Sequence, residues 1–375
     1  MKKKKQFDNS RILFVLEHFF PYVGGAETLS YLLTKKLAEK GYKVQVLTTL
    51  HDKKLNKNEV IEGVHIHRID CRNRFLFTLR ALRPALRMAK NSDLIISSTY
   101  NAAIPAWWAA KRSSLPSILI FHEIWGKLWF RLPYLKRFQR IAYWAFEQLI
   151  ARLNFTKVVA VSDYTKERLT TYFKEEALVR IYNGIDYREF EGHQWNAPGQ
   201  FQPLFLGRLG VSKGIDLLIP AMDQFLDQHP DSLFRVILPD RPRALSAQIR
   251  QDIMDLKHSE RVILINSLPF DELLEMMCRS SCIIVPSYSE GFGFVAVEAA
   301  AMGIPVVSSG QGALNETVSG RHVNMESLSP EGLCQALEKA RKGVWSESKL
   351  KSFELEENTG QYVLLIKEVL NRSKS

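Results

Sequence analysis

The chain has 375 residues, enough for two domains, and its 46% apolar and 24% charged residues are the balance of a globular protein with ample core. That composition excludes a largely disordered, collagenous or disulfide-stapled chain. The formal charge of +11 is uneven: residues 1–188 carry 33 basic and 16 acidic side chains, a balance of +17, whereas residues 189–375 carry 18 and 24, a balance of −6. A basic half of this kind is suited to an anionic partner. The four cysteines, Cys71, Cys278, Cys282 and Cys334, are too scattered for a framework, and no His or Cys partners complete a zinc set. The apolar run after the MKKKK start, Ile12 to Leu16, is too short for a signal peptide. No apolar stretch approaches the ~18–20 residues that span a bilayer. The expectation is a reduced, cytoplasmic protein.

Short apolar strands alternate with helical stretches, the pattern of parallel sheets covered by helices. RILFVLE (11–17) predicts a strand, PYVGGAE (21–27) a glycine turn, and TLSYLLTKKLAEKG a helix closed by Gly41. With the strand KVQVLTT (43–49) these make one βαβ unit. Further strands are expected at 93–99, 117–123 and 157–163, the last capped by Ser162 or Asp163. The polar EGHQWNAPGQFQP (191–203) reads as an interdomain linker. Beyond it the alternation restarts with PLFLGRL, helices at 214–228, 244–257 and 270–280, and the strands FRVILP, RVILIN, CIIVPS and IPVVSS. The expected organisation is therefore a domain over 1–190, a linker over 191–203, a second domain over 204–350, and a helical segment over 351–375 that packs back on the first domain.

Three clusters carry chemistry. Gly24 and Gly25 follow a strand and open a helix, where glycine lets the backbone approach a ligand and free N–H groups point at it. A tight strand–helix turn explains them equally well, and neither a GxGxxG fingerprint nor a GxxxxGK[ST] loop occurs. Arg208 and Lys213 stand after the first strand of the second half, at the strand end where doubly wound sheets bind ligands. Arg binds phosphate bidentately and Lys adds a compact charge. The third and most specific cluster is SYSEGFGFVAVEAAAMG, in which Glu290 and Glu298 enclose Gly291, Phe292 and Gly293. Carboxylates accept hydrogen bonds from sugar hydroxyls, and the helix start offers N–H groups to phosphate.

The order and spacing of GGAE, IYNGID, GRLxxxKG and SEGFGxxxxEAxAxGxPVV resemble the retaining glycosyltransferases of family 4, from about residue 11 to 320. The resemblance implies an α/β chain of GT-B fold: two Rossmann-like, doubly wound parallel-sheet domains facing across a cleft. It also implies a nucleotide-sugar donor whose diphosphate Arg208 and Lys213 hold, with Glu290 on the donor sugar and Glu298 on the ribose. His122, in FHEIWG, matches the family histidine beside the transferred sugar, and Gly24 and Gly25 match its loop under the donor phosphates and acceptor. No cofactor is expected, and there is no Asp-x-Asp metal pair. Where relatives carry a glycine-rich turn this chain has Asp240-Arg241-Pro242-Arg243, a departure that bears on the nucleotide. Two alternatives stand beside this reading: a nucleotide-sugar epimerase of the same fold and a basic nucleic-acid-binding module. The second leaves the Glu–Gly–Gly–Glu cluster unexplained and has no recognition signature, so no nucleic acid partner is expected.

The acceptor side is read from charge. CRNRFLFTLRALRPALRMAKNS places Arg80, Arg83, Arg87 and Lys90 on one helical stripe beside Leu79, Leu82 and Leu86, the pattern of an interfacial helix that Pro84 must start or kink. Trp125 and Trp129 lie in a second stretch that interleaves aromatics with cations. Both point to an anionic membrane surface at the inner face of the membrane and to a glycolipid or lipid-linked saccharide as acceptor.

Overall fold

The computed structural model describes residues 9–71 and 73–372; the MKKKK start lies outside them. The chain forms two compact units. The first comprises residues up to 126, 142–185 and 353 onward, and the second comprises 127–141 and 186–352.

The first unit is built from β1 (Arg11–Val15), α1 (Gly25–Glu39), β2 (Lys43–Thr49), β3 (Asn58–Ile61), β4 (Val64–Ile69), α2 (Arg74–Arg80), α3 (Leu82–Ala89), β5 (Leu94–Ser98), α4 (Ala103–Ser113) and β6 (Ser117–Phe121). It continues with α5 (Arg137–Ile150), whose first residues belong to the second unit, then β7 (Lys157–Ala160), α6 (Asp163–Leu169) and β8 (Leu178–Arg180). The sheet order is β3-β4-β2-β1-β5-β6-β7-β8. Every pairing is parallel except β3 with β4. Strand β1 is central: Ile12 is in register with Val44 on one side and Leu94 on the other, and Ile12 to Val15 are buried. Such two-sided burial is why RILFV reads as a continuous apolar run. Alanines 85, 89, 106, 109 and 110 are buried, so the backbones of α3 and α4 approach closely.

Three local features depart from or refine the sequence reading. The β3–β4 hairpin was not expected; Glu62 and Gly63 both take positive φ, the conformation of a tight hairpin turn, and the Glu-Gly pair between alternating residues was its signal. The basic stretch forms two helices divided at Ala81, with Pro84 as the third residue of α3, where its missing N–H breaks no helical bond. Phe77, Ala81, Ala85 and Ala89 form the buried stripe, and Arg80, Arg83, Arg87 and Lys90 are exposed.

The second unit contains β9 (Leu204–Leu206), α7 (Ile215–Gln228), β10 (Phe234–Ile237), α8 (Arg243–Met254), β11 (Val262–Ile265), α9 (Phe270–Cys278), β12 (Ile283–Val285), α10 (Phe294–Ala301), β13 (Val306–Ser308), α11 (Leu314–Thr317), β14 (Gly320–Asn324), α12 (Pro330–Arg341) and β15 (Ser346–Ser348). Its sheet runs β11-β10-β9-β12-β13-β14-β15, parallel apart from β15. The polar 191–203 stretch runs along this unit: Trp195 N–H donates to Met302 O at 3.0 Å and Asn196 N–H to Cys278 O at 2.9 Å.

The last element, α13 (Leu355–Arg372), belongs to the first unit as a single helix. Lys36 of α1 pairs with Glu356 at 2.6 Å, and Asn358 Nδ2 donates to Tyr182 O at 2.5 Å. Gly184 of the IYNGID segment permits this docking, because a Cβ there would lie 2.7 Å from Leu355 Cα and 2.8 Å from Asn358 Cβ. Gly184→Ala should therefore overpack the joint and lower stability by about 1–3 kcal/mol, read as a fall in the denaturant midpoint at unchanged slope.

Candidate active site

In each sheet the strand order reverses next to the first strand, and at such a reversal the outgoing loops part and leave a crevice at the carboxyl ends. In the second unit the reversal lies between β9 and β12. The loop leaving β9 carries Gly207, Arg208 and Lys213, and the loop leaving β12 carries Ser287 to Gly293.

The two loops interlock. Gly214, in the left-handed region at φ +68°, caps α7, and a Cβ on it would stand 2.1 Å from Pro286 O. Tyr288 N–H donates to Ser212 O at 2.7 Å. That approach brings Lys213 Nζ to Glu290 Oε1 at 2.7 Å, and Ser287 Oγ donates to the same oxygen at 2.7 Å. Glu290 is 9% exposed, whereas Arg208 is exposed on the rim of the β9 loop. Gly291 and Phe292 are buried behind it, and Gly293 caps α10 at φ +84°.

The loops after β12 and β13 supply further parts that sequence reading missed. Gly312, at φ +68°, leaves room for the Glu290 backbone: a Cβ would lie 2.4 Å from Glu290 O. Ala313 N–H donates to that carbonyl at 2.8 Å. Ser289 is buried and its hydroxyl has no partner among the described residues. These residues carry no local signal, since a Gly-Gln-Gly turn and a serine are ordinary in loops.

Glu298 lies in the middle of α10, half-buried. Burial, and secondarily the charge of Glu189, push its carboxyl up to about 7. At the unusual Asp240–Arg243 turn, Arg250 of α8 donates to Leu238 O at 2.8 Å and to Asp240 at 3.4 Å.

In the first unit the reversal lies between β1 and β5. Gly24 caps α1 in extended conformation with its carbonyl bonded to Thr28 N–H at 2.8 Å, and Gly25 is the first helical residue. Glu17, also missed, is buried two residues beyond β1. Burial alone would raise its carboxyl, but the hydrogen bond with His18, the charge of Arg74 and the hydrogen bond from Asn101 hold it at about 2. Arg74 Nε stands 2.9 Å from it and Asn101 Nδ2 2.8 Å. His122 follows β6 and is half-buried, as is Trp125, whereas Trp129, in the 127–141 segment of the second unit, is buried.

Comparison with known proteins bears on this arrangement. The model of Glycosyltransferase Family 4 matches residues 23–189, and that of Glycosyl transferases group 1 matches residues 200–342. A human protein, one of the subunits of phosphatidylinositol N-acetylglucosaminyltransferase, is 24% identical over 342 residues, covering 88% of this chain and 68% of its own. Among solved structures, sucrose-phosphate synthase from Thermosynechococcus elongatus superposes with a TM-score of 0.78 at 19% identity, covering 97% and 100% of the two chains. Anabaena HepE in complex with UDP-glucose gives 0.70 at 17% identity, covering 96% and 99%. At these identities the two structures speak for the fold alone.

A consequence follows for stability. Below an ordinary value of 4.5 the Glu298 carboxyl is protonated whether folded or unfolded. Between there and about 7 the unfolded chain loses the proton first, so this group's contribution falls as pH rises through that window. The melting temperature of Glu298→Gln minus that of wild type should increase from about pH 5 to about pH 8, and a difference flat with pH would contradict it.

Proposed function

The chain belongs to the group 1, family 4 glycosyltransferases of GT-B fold, and on that premise we propose that it transfers a sugar, with retention, from a nucleotide-sugar donor to a hydroxyl of a membrane-associated glycolipid or lipid-linked saccharide. The observation that carries this reading is the Lys213–Glu290 pair at the strand reversal of the second unit, with Arg208 on the adjoining rim. Arg208 and Lys213 hold the donor diphosphate, and the N–H groups at Gly291–Gly293 add the positive end of α10. Charge that grows on the leaving diphosphate is met by groups already in place, which is the dominant form of such stabilisation. Glu290 accepts hydrogen bonds from the donor sugar and Glu298 from the ribose. His122 lies beside the transferred sugar, and Gly24 and Gly25 form the loop under phosphates and acceptor.

In the step itself the acceptor oxygen bonds to the anomeric carbon on the face that the diphosphate leaves. The carbon–oxygen bond to the diphosphate breaks with its electron pair on the departing phosphate, which takes the acceptor's proton. Fixed cations do this electrostatic work without a divalent ion.

Support for the acceptor class comes from the first unit. Arg80, Arg83, Arg87 and Lys90 are exposed beside the exposed Leu79 and Phe75, on an element pair whose opposite stripe is buried. Each cation near an anionic leaflet contributes about 1 kcal/mol, enough in sum for reversible binding at the cytoplasmic face of a membrane. Trp125 belongs to the acceptor side of the same reading, whereas Trp129, expected there too, is buried in the 127–141 segment of the second unit and is not presented to a surface. No helix among the described residues is long and apolar enough to cross a membrane. The human relative's name carries phosphatidylinositol, itself a membrane lipid.

The test is turnover of UDP-, GDP- and ADP-sugars with and without membrane lipid extract, in the presence of EDTA. Acceptor-dependent release of nucleoside diphosphate is expected, with a loss on the order of 10²-fold or more in Glu290→Ala and non-additive losses in Arg208→Ala and Lys213→Ala. Acceptor-free isomerisation, or restoration of activity only by Mg²⁺ or Mn²⁺, would contradict it. Separately, the protein should sediment with liposomes that contain anionic lipid. Binding should weaken with salt and fall when Arg80, Arg83 and Arg87 become Glu; sedimentation indifferent to lipid charge would remove the membrane half of the reading.

A further inference from the structure

A second buried carboxylate, in the first unit, has no part in the scheme above. Glu147 of α5 is 0% exposed and acts only as an acceptor. Its Oε1 receives the Trp125 N–H at 2.8 Å and the Tyr100 hydroxyl at 2.8 Å, and its Oε2 receives the Gly126 N–H at 2.6 Å. Arg168 of α6 grips the same segment by its carbonyls, with Nε on Ile124 O at 3.0 Å and Nη2 on Trp125 O at 3.0 Å. Tyr100 also reaches Glu123 O at 3.1 Å. Gly126 completes the fit: it takes φ +53°, and a Cβ there would stand 3.1 Å from Arg168 Nη2.

The segment so held begins directly after His122; residues 123–125 are irregular and Gly126 opens a short 3-10 helix, Gly126–Phe130. Outside a helix or sheet its backbone groups have no ladder to join, and buried polar groups must find partners. Two charged side chains, one taking N–H groups and one giving to carbonyls, satisfy them and leave the segment a single conformation. Burying a carboxylate is costly, and its three hydrogen bonds offset that cost only while the segment keeps this geometry.

We propose that Glu147, with Arg168 as its counterpart, is a positioning residue that fixes the orientation of His122 by locking the segment that follows it. The inference rests on the reading of His122 as the residue beside the transferred sugar. A reacting group displaced by a fraction of an ångström loses much of its effect, whereas donor contacts on the other unit are untouched.

The experiment uses full-length protein and the nucleotide sugar turned over in the panel above. Glu147→Gln keeps the shape but replaces one carboxylate oxygen by an NH2 donor, which would face either the Gly126 N–H or the Trp125 N–H and lose that hydrogen bond. It should lower kcat by about 10- to 100-fold with the donor KM changed by less than about twofold. Glu147→Asp, with both oxygens, should recover part of the loss. In a cycle with His122→Ala, adding Glu147→Gln should cost little more, because the two act as one. Should Glu147→Gln fail to fold, Arg168→Lys, which reaches only one of the two carbonyls, should show the same kcat loss and the same non-additivity. His122→Ala at wild-type turnover would overturn both the His122 reading and this inference. An impaired His122→Ala with wild-type Glu147→Gln, or with losses that multiply in full, would overturn the inference alone.

Discussion

The second unit is organised by the close approach of three loops at the carboxyl end of its sheet. β9 and β12 lie side by side where the strand order of the sheet reverses. Gly214 against Pro286 and Gly312 against Glu290 draw the β9, β12 and β13 loops together at distances no side chain would allow. The Lys213–Glu290 ion pair is a product of that packing. Lys213 keeps 29% of its side chain exposed and Glu290 12%, so the pair is partly shielded from water and less screened than a surface pair.

The first unit handles charge differently. Its surplus of cations lies largely outside, on the stripe of α2 and α3, while those inside are paired. Arg68 is almost wholly buried and donates to Asn56 O at 3.0 Å, to Phe20 O at 2.9 Å and to Glu59. It thereby ties the loop after β1, which leads to Gly24 and Gly25, to the β3–β4 hairpin. Glu17 with Arg74 ties the end of that same first strand segment to the start of α2. Removing one partner of a buried pair costs about 3–5 kcal/mol, so the Arg68 tie resists loosening, whereas Arg74 is more than half exposed and its pair with Glu17 is the weaker of the two. The basic stripe is therefore joined to the glycine loop through charged side chains.

Much of this was legible along the chain because the signals are local. Period-two and period-3.6 alternation exposes strands and helices, and a run such as RILFV, apolar on both faces, marks a central strand. The glycine–glutamate spacing of 290–298 marks a strand–loop–helix site, since glycine is required where φ is positive and a helix must start. The β3–β4 hairpin escaped because β3 is only four residues long and begins with Asn and Glu, and a Glu-Gly turn is a weaker hairpin signal than Asn-Gly or Asp-Gly, although β4 alternates cleanly. The division of the basic stretch was signalled by Pro84, which was expected to start or kink the helix and which stands in the first turn of α3, but its position at Ala81 was not, because helical periodicity continues across it.

Residue types and their spacing by themselves determined the alternating α/β plan, the candidacy of Lys213, Glu290 and Glu298 on separate segments, and the basic stripe. Tertiary structure alone decided which groups meet. Glu147 and Arg168 are unremarkable helix residues in one dimension, and Ser287, Ser289 and Gly312 are ordinary loop residues. Their significance arises from neighbours 21 to 47 positions away for Glu147 and 43 or 44 for Arg168. Such contacts have no period and no composition, because they are set by how strands order themselves in a sheet, and that order is fixed only when the whole core is packed.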